Sequence, residues 1–156
     1  MIGTRRLTAA DVMSRIVLTV APDESPLMAW ELMRRAGVHH IPVVDGNRRL
    51  HGVLTRLDLA MGWSGGPADL ARREVREFLG ERRLPRVRMD APLDCVAATM
   101  LDAGRDAVPV VDEHGRTAGI ITTVDVLRAV AGRISGAPGR GRAEGAMFRL
   151  EPVLPS

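Results

Sequence analysis

Met33 to Asp58 reads MRRAGVHHIPVVDGNRRLHGVLTRLD, and Met100 to Asp125 reads MLDAGRDAVPVVDEHGRTAGIITTVD. Set against each other at an offset of 67, the two stretches align over 26 positions without a gap, and eleven positions are identical. The matches are Met33/Met100, Ala36/Ala103, Gly37/Gly104, Pro42/Pro109, Val43/Val110, Val44/Val111, Asp45/Asp112, Arg49/Arg116, Gly52/Gly119, Thr55/Thr122 and Asp58/Asp125. Average composition gives roughly two matches by chance. The chain is therefore a duplication of one small unit, and this repetition constrains the architecture more than any single propensity does.

Each copy reads outward from that alignment as β-α-β-β-α. In the first, Ile16 to Val20 is a β-branched run, and Ser25-Pro26 supplies a cap and a first-turn proline for a helix. Ala29, Leu32, Met33 and Ala36 form one apolar stripe, and Gly37 ends the helix where a left-handed residue is wanted. Val96, Thr99, Met100, Ala103 and Gly104 repeat the arrangement. Ile41 to Val44, a turn at Asp45-Gly46-Asn47, and Leu50 to Leu54 form a hairpin, matched by Val108 to Val111, Asp112 to Gly115, and Thr117 to Ile121. A final helix opens at Thr55 and again at Thr122. The expected class is α+β, two tandem motifs related by a pseudo-twofold axis, because one copy alone leaves its apolar sheet half exposed.

The remaining segments complete the layout. Thr8-Ala9-Ala10-Asp11 is a capping-box sequence for a short helix through Met13. Ala68 to Leu79 reads as a connecting helix with Leu70, Val75, Phe78 and Leu79 on its apolar side. Residues 1–66 then hold the N-terminal helix and first motif, 67–135 the connecting helix and second motif, and 136–156 a Gly/Arg-rich tail.

Composition narrows the partners. The 156 residues, 46% hydrophobic and 26% charged, suit one ordinary domain or two small units that share a core. The sequence pI of 10.7 overstates the basicity, since the net charge is +3 and every basic residue other than histidine is arginine. Arginine forks suit phosphate and carboxylate groups on a small anion. With no tyrosine, two Phe and two Trp there is no stacking platform for single strands, so nucleic acid is not expected as a partner. Cys95 is alone, which excludes an internal disulfide and points to a reducing compartment. Met1 to Arg6 is not followed by the apolar core of a signal peptide, and no stretch approaches roughly 18 apolar residues, so the expectation is a cytoplasmic protein without a membrane partner.

The chemistry-bearing element is Gly52-Val53-Leu54-Thr55-Arg56-Leu57-Asp58, repeated as Gly119-Ile120-Ile121-Thr122-Thr123-Val124-Asp125. A strand ends in a threonine hydroxyl at a helix start, with a carboxylate one turn in. Backbone N–H groups and the hydroxyl suit a phosphate, and an acceptor-only aspartate suits two ribose hydroxyls. The same Thr-x-x-Asp is also a capping box that needs no ligand, and both readings stand at this point. His39 and His40 are adjacent, so on a strand they point apart and do not chelate one metal. Met28, Met33, Met61 and Met100 read as core filler, and His51 and His114 as solvated turn residues.

The β-α-β-β-α repeat, the stretch Gly37-Val38-His39-His40-Ile41-Pro42-Val43-Val44-Asp45, the Gly-h-h-Thr-x-x-Asp endings and the opening Ala10-Asp11-Val12-Met13 resemble the CBS domain, over roughly Thr8 to Ala131. Two in tandem resemble a Bateman module. The resemblance implies a non-enzymatic sensor, with no required cofactor, that binds an adenosine-containing ligand such as AMP, ADP, ATP or S-adenosylmethionine in clefts between the motifs. It also implies a homodimer that signals to a regulated protein partner. It maps Asp58 and Asp125 to ribose, Thr55 and Thr122 to the phosphate side, and His40 to a basic position facing phosphates. His40-Ile41-Pro42, Ala107-Val108-Pro109 and the early run at Ile16 and Val17 map to the walls around adenine. Asp106-Ala107 and Glu77-Phe78-Leu79-Gly80 depart from the pattern in the second copy, which implies unequal clefts. The alternative is a structural or protein-interaction module with decayed sites. An enzyme finds less support, because no acid, base and nucleophile recur together.

Overall fold

A computed structural model describes residues 6–15, 18–80 and 84–134. These residues divide into two compact units that do not follow the order of the chain: one takes residues up to 15 together with 85 to 134, the other takes 18 to 84. The elements are α1 (Ala9–Val12), β1 (Ser14–Arg15), α2 (Pro26–Ala36), β2 (His40–Val44), β3 (Leu50–Thr55), α3 (Arg56–Gly62), α4 (Pro67–Arg72), a 3-10 turn Val75–Phe78, β4 (Val87–Arg88), α5 (Leu93–Ala103), β5 (Ala107–Val111), β6 (Thr117–Thr122) and α6 (Thr123–Val130). The mixed helix and strand class expected from the sequence is observed.

The unit holding the first copy is built around the antiparallel pair β2 and β3, with Val20 bridged in parallel to Val43. Ser25 caps α2 by accepting the N–H groups of Leu27 and Met28, Pro26 opens the helix, and Gly37 closes it at φ 65°. Its stripe lands where the spacing puts it: Ala29, Met33 and Ala36 are buried and Leu32 packs against the same core, with Ile41, Val43, Leu54, Leu59 and Leu70. The other unit repeats this with β5 and β6, in a four-stranded sheet of order β1-β6-β5-β4, and Gly104 closes α5 at φ 60°. Every residue of β5 is buried, so both faces of that strand are covered. In both hairpins the register shifts at the same place, Val43/Val44 and Val110/Val111.

Three expectations change. Of the run Ile16 to Val20, Ile16 and Val17 lie outside the described residues, and among Leu18 to Val20 only Val20 forms a bridge, with Val20 N–H donating to the Pro42 carbonyl at 3.0 Å. The connecting helix is two pieces, α4 and the 3-10 turn, separated at Arg73-Glu74. Leu70 and Val75 are five positions apart, which in one helix would swing them about 140° from each other. Breaking the helix buries both, and Glu74 starts the second piece with its own capping box to Glu77. Of the methionines, Met33 and Met100 are core, but Met28 and Met61 are exposed.

The largest difference is where the N-terminal segment goes. Its capping box forms as read, with Thr8 N–H donating to Asp11 Oδ2 at 2.9 Å, but α1 packs into the core of the second copy. Ala9 N–H donates to the Ala91 carbonyl at 2.8 Å, Ala10 N–H to Met89 at 2.9 Å, and Leu93 N–H to Leu7 at 2.9 Å. β1 then pairs with β6, Ser14 opposite Ile120 and Arg15 opposite Gly119. Ala9, Val12 and Met13 are buried among Val96, Val108 and Ile121. The segment before the second copy behaves in the reciprocal way, since Val75 and Phe78 sit in the core of the first copy.

These exchanged segments explain the glycine that opens each recurring motif. A β-carbon on Gly119 would lie 2.6 Å from Met13 Sδ and 2.8 Å from the Ser14 carbonyl oxygen, and one on Gly52 would lie 3.0 Å from Leu79 Cδ2. Gly119→Ala is expected to cost about 1–3 kcal/mol in urea unfolding, because a backbone oxygen stands in the way. Gly52→Ala should cost less, since it meets only the end of the flexible Leu79 side chain.

The hairpin turns are set by their aspartates. Asp45 Oδ1 accepts the N–H groups of Asn47 at 2.9 Å and Arg49 at 3.0 Å, and its Oδ2 meets His51 Nε2 at 2.9 Å. His51 is exposed, as expected of a turn residue, and is paired with Asp45. Asp112 accepts from His114 at 2.8 Å and Arg116 at 2.9 Å. His51, with help from the Arg49 N–H, holds the Asp45 carboxyl below its ordinary range, and the Arg116 N–H does the same for Asp112. A carboxyl lowered in the folded state contributes stability at neutral pH and loses it as pH falls below the ordinary carboxylate value. Asp112→Ala should accordingly melt below the parent protein at pH 7, with the gap narrowing as the melts are repeated at progressively lower pH.

Candidate functional site

Each copy brings its candidate residues to one strand-to-helix corner. Across the hairpins, His40 lies opposite Thr55, Ile41 opposite Leu54 and Pro42 opposite Val53; Ala107 lies opposite Thr122, Val108 opposite Ile121 and Pro109 opposite Ile120. The end of one strand thus sits beside the threonine at the end of its neighbour, one turn from the aspartate. Ile16 and Val17 lie outside the described residues.

Thr55 and Thr122 are N-caps in extended backbone, φ −111° and −107°, and both corners form complete capping boxes. In the first copy, Asp58 N–H donates to Thr55 Oγ1 at 3.0 Å and Thr55 N–H donates to Asp58 Oδ2 at 2.9 Å. In the second, Thr122 N–H and the Thr122 hydroxyl both donate to Asp125 Oδ2, at 2.9 and 3.0 Å, and Asp125 N–H reaches Thr122 Oγ1 at 3.4 Å. Arg56 N–H donates to the His39 carbonyl at 3.2 Å, and Thr123 N–H to the Asp106 carbonyl at 2.9 Å. Three of the four N–H groups that a helix start leaves open are thereby held within the protein in each copy. The amides that a phosphate would use are thus largely engaged within the protein, and in the second copy the Thr122 hydroxyl is engaged as well.

Ile41 and Val108 are fully buried in the two cores, and the Pro42 carbonyl already accepts the Val20 N–H at 3.0 Å. His40 is half-buried at the head of β2 and His39 is exposed just before it. Among the described residues no group of three or more His, Cys, Asp or Glu is placed to hold a metal ion, and no helix is long and apolar enough to cross a membrane.

Two features went unread in the sequence. Arg56, inside the first motif, turns away from the corner: its guanidinium donates to the Met33 carbonyl at 3.3 Å, at the C-terminal end of α2, and lies 5.8 Å from the centre of the Trp30 ring. The other is burial, which separates two aspartates that look equivalent in sequence. Asp125 is 5% exposed, with Arg128 Nη1 4.0 Å from its Oδ1, whereas Asp58 is only partly buried and has Met61 at the position of Arg128.

A duplicated α+β unit whose two copies each end in a Thr-x-x-Asp corner defines a tandem-repeat module. The family model for the CBS domain matches residues 9–63 and 75–132, and the chain belongs to the CBS domain family, with two copies of the domain. It is 28% identical over 123 residues to L-aspartate semialdehyde sulfurtransferase of Methanocaldococcus jannaschii, a match covering 79% of this chain and 23% of that protein. The chain thus spans about a quarter of that relative's length. Among solved structures it is similar to the CBS domain pair of protein MJ0100 in complex with 5′-methylthioadenosine and S-adenosyl-L-methionine, at 26% identity and a TM-score of 0.70, covering 82% of this chain and 98% of that one. It is similar also to CBSX2 in complex with AMP, at 28% identity and a TM-score of 0.70, covering 80% and 96%.

The corner geometry sets an order of stability effects. Thr122→Val removes the acceptor for Asp125 N–H and a donor to a buried carboxylate, and is expected to cost about 1–2 kcal/mol in chemical unfolding. Thr55→Val, beside the more open Asp58, should cost less.

Proposed function

We propose that this chain is a non-enzymatic regulatory sensor, a Bateman-type module that binds an adenosine-containing ligand and passes its occupancy to a protein partner by conformational change. The observation that carries the reading is the recurrence of one corner, Thr55 with Asp58 and Thr122 with Asp125, in a chain similar to one domain pair bound to AMP and another bound to S-adenosylmethionine. An ionised aspartate accepts hydrogen bonds only, which suits the paired hydroxyls of a ribose, and a threonine hydroxyl beside it suits the 5′ side. His40, at the head of β2 opposite Thr55, would lie on the phosphate side of such a ligand. The backbone of Ile41-Pro42 and of Ala107-Val108-Pro109 would border the base. No cofactor is needed for this role, and the cytoplasm is the compartment that fits the lone Cys95.

We propose also that the module is a homodimer. Leu57 and Met61 on α3, and Val124, Leu127 and Val130 on α6, are exposed apolar residues recurring on related helices. Light scattering of the pure chain should give twice the monomer mass, and Leu127→Glu should reduce it.

A second reading has an observation in its favour. Both capping boxes are complete without a ligand, as a scaffold with decayed sites would have them. Melting the protein with AMP, ATP, S-adenosylmethionine and 5′-methylthioadenosine separates the two. A ligand held only by the native state at a hundred times its Kd adds about 2.7 kcal/mol, a rise of roughly 5–10 °C for a chain of this size. Asp58→Ala should abolish that rise. No rise with any of the four leaves the scaffold reading.

A further inference from the structure

The tips of the two hairpins fold the same turn with different residues at its tightest point. In the second copy Asp112 Oδ1 accepts the His114 and Arg116 N–H groups, the Gly115 N–H donates to the Asp112 carbonyl at 3.0 Å, and Gly115 takes φ 76°. In the first, Asp45 Oδ1 accepts the Asn47 and Arg49 N–H groups, the Arg48 N–H donates to the Asp45 carbonyl at 2.9 Å, and the left-handed residue is Arg48, at φ 65°. Among the described residues Arg48 is the one non-glycine residue in that region. A β-carbon there crowds the backbone, so glycine is the ordinary choice and an arginine weakens the turn. An unfavourable backbone position kept without a local compensation points to a role for the side chain outside the fold.

The tip is also basic. Arg48, Arg49 and His51 are exposed, and among the described residues the Arg48 and Arg49 guanidinium groups have no ion pair or hydrogen bond. Asp45, the acid nearest to them in the chain, is already committed to the Asn47 and Arg49 N–H groups and to His51. The second tip differs in sign, with Glu113 where the first has Gly46 and Gly115 where the first has Arg48. Two adjacent guanidinium forks match paired carboxylates in shape and charge. An anionic bilayer is held by about four to eight clustered basic residues and single-stranded nucleic acid by aromatic faces, whereas this tip has two arginines and no aromatic residue.

We propose that the tip of the first hairpin, Arg48 with Arg49, is a docking point for an acidic segment of a partner protein, whose carboxylates pair with the two guanidinium groups. The tip is at the end of β2 and β3 away from the corner, since His40 lies opposite Thr55 and Val44 opposite Leu50. It is therefore a separate surface, and the assignment holds whether or not an adenosine ligand binds.

Poly-L-glutamate stands in for the acidic segment in the test. Titrated at low salt into the full chain, it is expected to bind the parent protein and to bind about tenfold or more weakly to the variant carrying Arg48→Gly and Arg49→Gln. Arg116→Gln with Arg133→Gln removes the same charge from exposed arginines of the other copy and should weaken binding by less than about threefold. Arg48→Gly alone should melt roughly 2 °C or more above the parent protein, because the turn then holds the residue that suits it. No binding by the parent protein, equal losses in the two double variants, or an Arg48→Gly protein that melts no higher than the parent would overturn the proposal. So would binding to phosphatidylserine vesicles or to poly-uridylate that is tighter than to poly-L-glutamate and is lost in the first-tip variant. Any rise in melting temperature that AMP or S-adenosylmethionine gives the parent protein should persist in the first-tip variant, so the proposed function stands or fails separately. A rise lost in that variant would assign the tip to the ligand site and overturn the proposal.

Discussion

The reciprocal hydrogen bonds between Thr55 and Asp58, and between Thr122 and Asp125, are the interaction on which both halves of this molecule turn. Each pair ends a strand and starts a helix in the space of four residues, satisfying N–H groups that neither element could satisfy alone. Because the threonine belongs to the strand and the aspartate to the helix, the corner has a fixed shape and presents a hydroxyl and a carboxylate together. The neighbouring strand ends, His40 and Ala107, are brought alongside by hairpin register. A polar corner on an apolar hairpin is thus made twice in this chain.

Close packing constrains that corner from behind. At Gly119 the N-terminal segment leaves no room for a β-carbon on β6, and at Gly52 Leu79 packs against β3. Neither glycine has an unusual backbone angle, so each is there for the absence of a side chain. The recurring Gly-h-h-Thr-x-x-Asp therefore combines two demands in seven residues: a flat spot that receives a segment from before the other copy, and a polar corner at its far end. Val12 and Met13 complete the core of the second copy, and Val75 and Phe78 that of the first, so neither copy contains all of its own hydrophobic core within its own stretch of sequence.

Duplication does not keep the copies equal. Substituting Arg128 for Met61 places a cation within reach of one aspartate and leaves the other with an apolar neighbour. Departures at His40 against Ala107 act in the same direction, since only the first copy carries a titratable ring at the head of its hairpin. A repeat supplies two versions of a corner, and small changes beside the motif let their surroundings diverge while the motif stays the same.

What the sequence determined by itself is what local chemistry and repetition encode. The 67-residue offset, the Ser25-Pro26 start, the glycine stops at Gly37 and Gly104, the hairpins and the Thr-x-x-Asp corners all follow from contacts within a few residues, and all appear at the positions read for them. What only the tertiary structure decided depends on contacts across long stretches of chain. The docking of Leu7 to Arg15 on residues 85 and beyond has no periodicity to announce it. The break between α4 and the 3-10 turn followed from the need to bury Leu70 and Val75 together, and the different fates of Asp58 and Asp125 from how much protein surrounds each. Burial is a sum over neighbours brought in by the fold, and for that reason two identical motifs could be read from the chain as equal and found in three dimensions to differ.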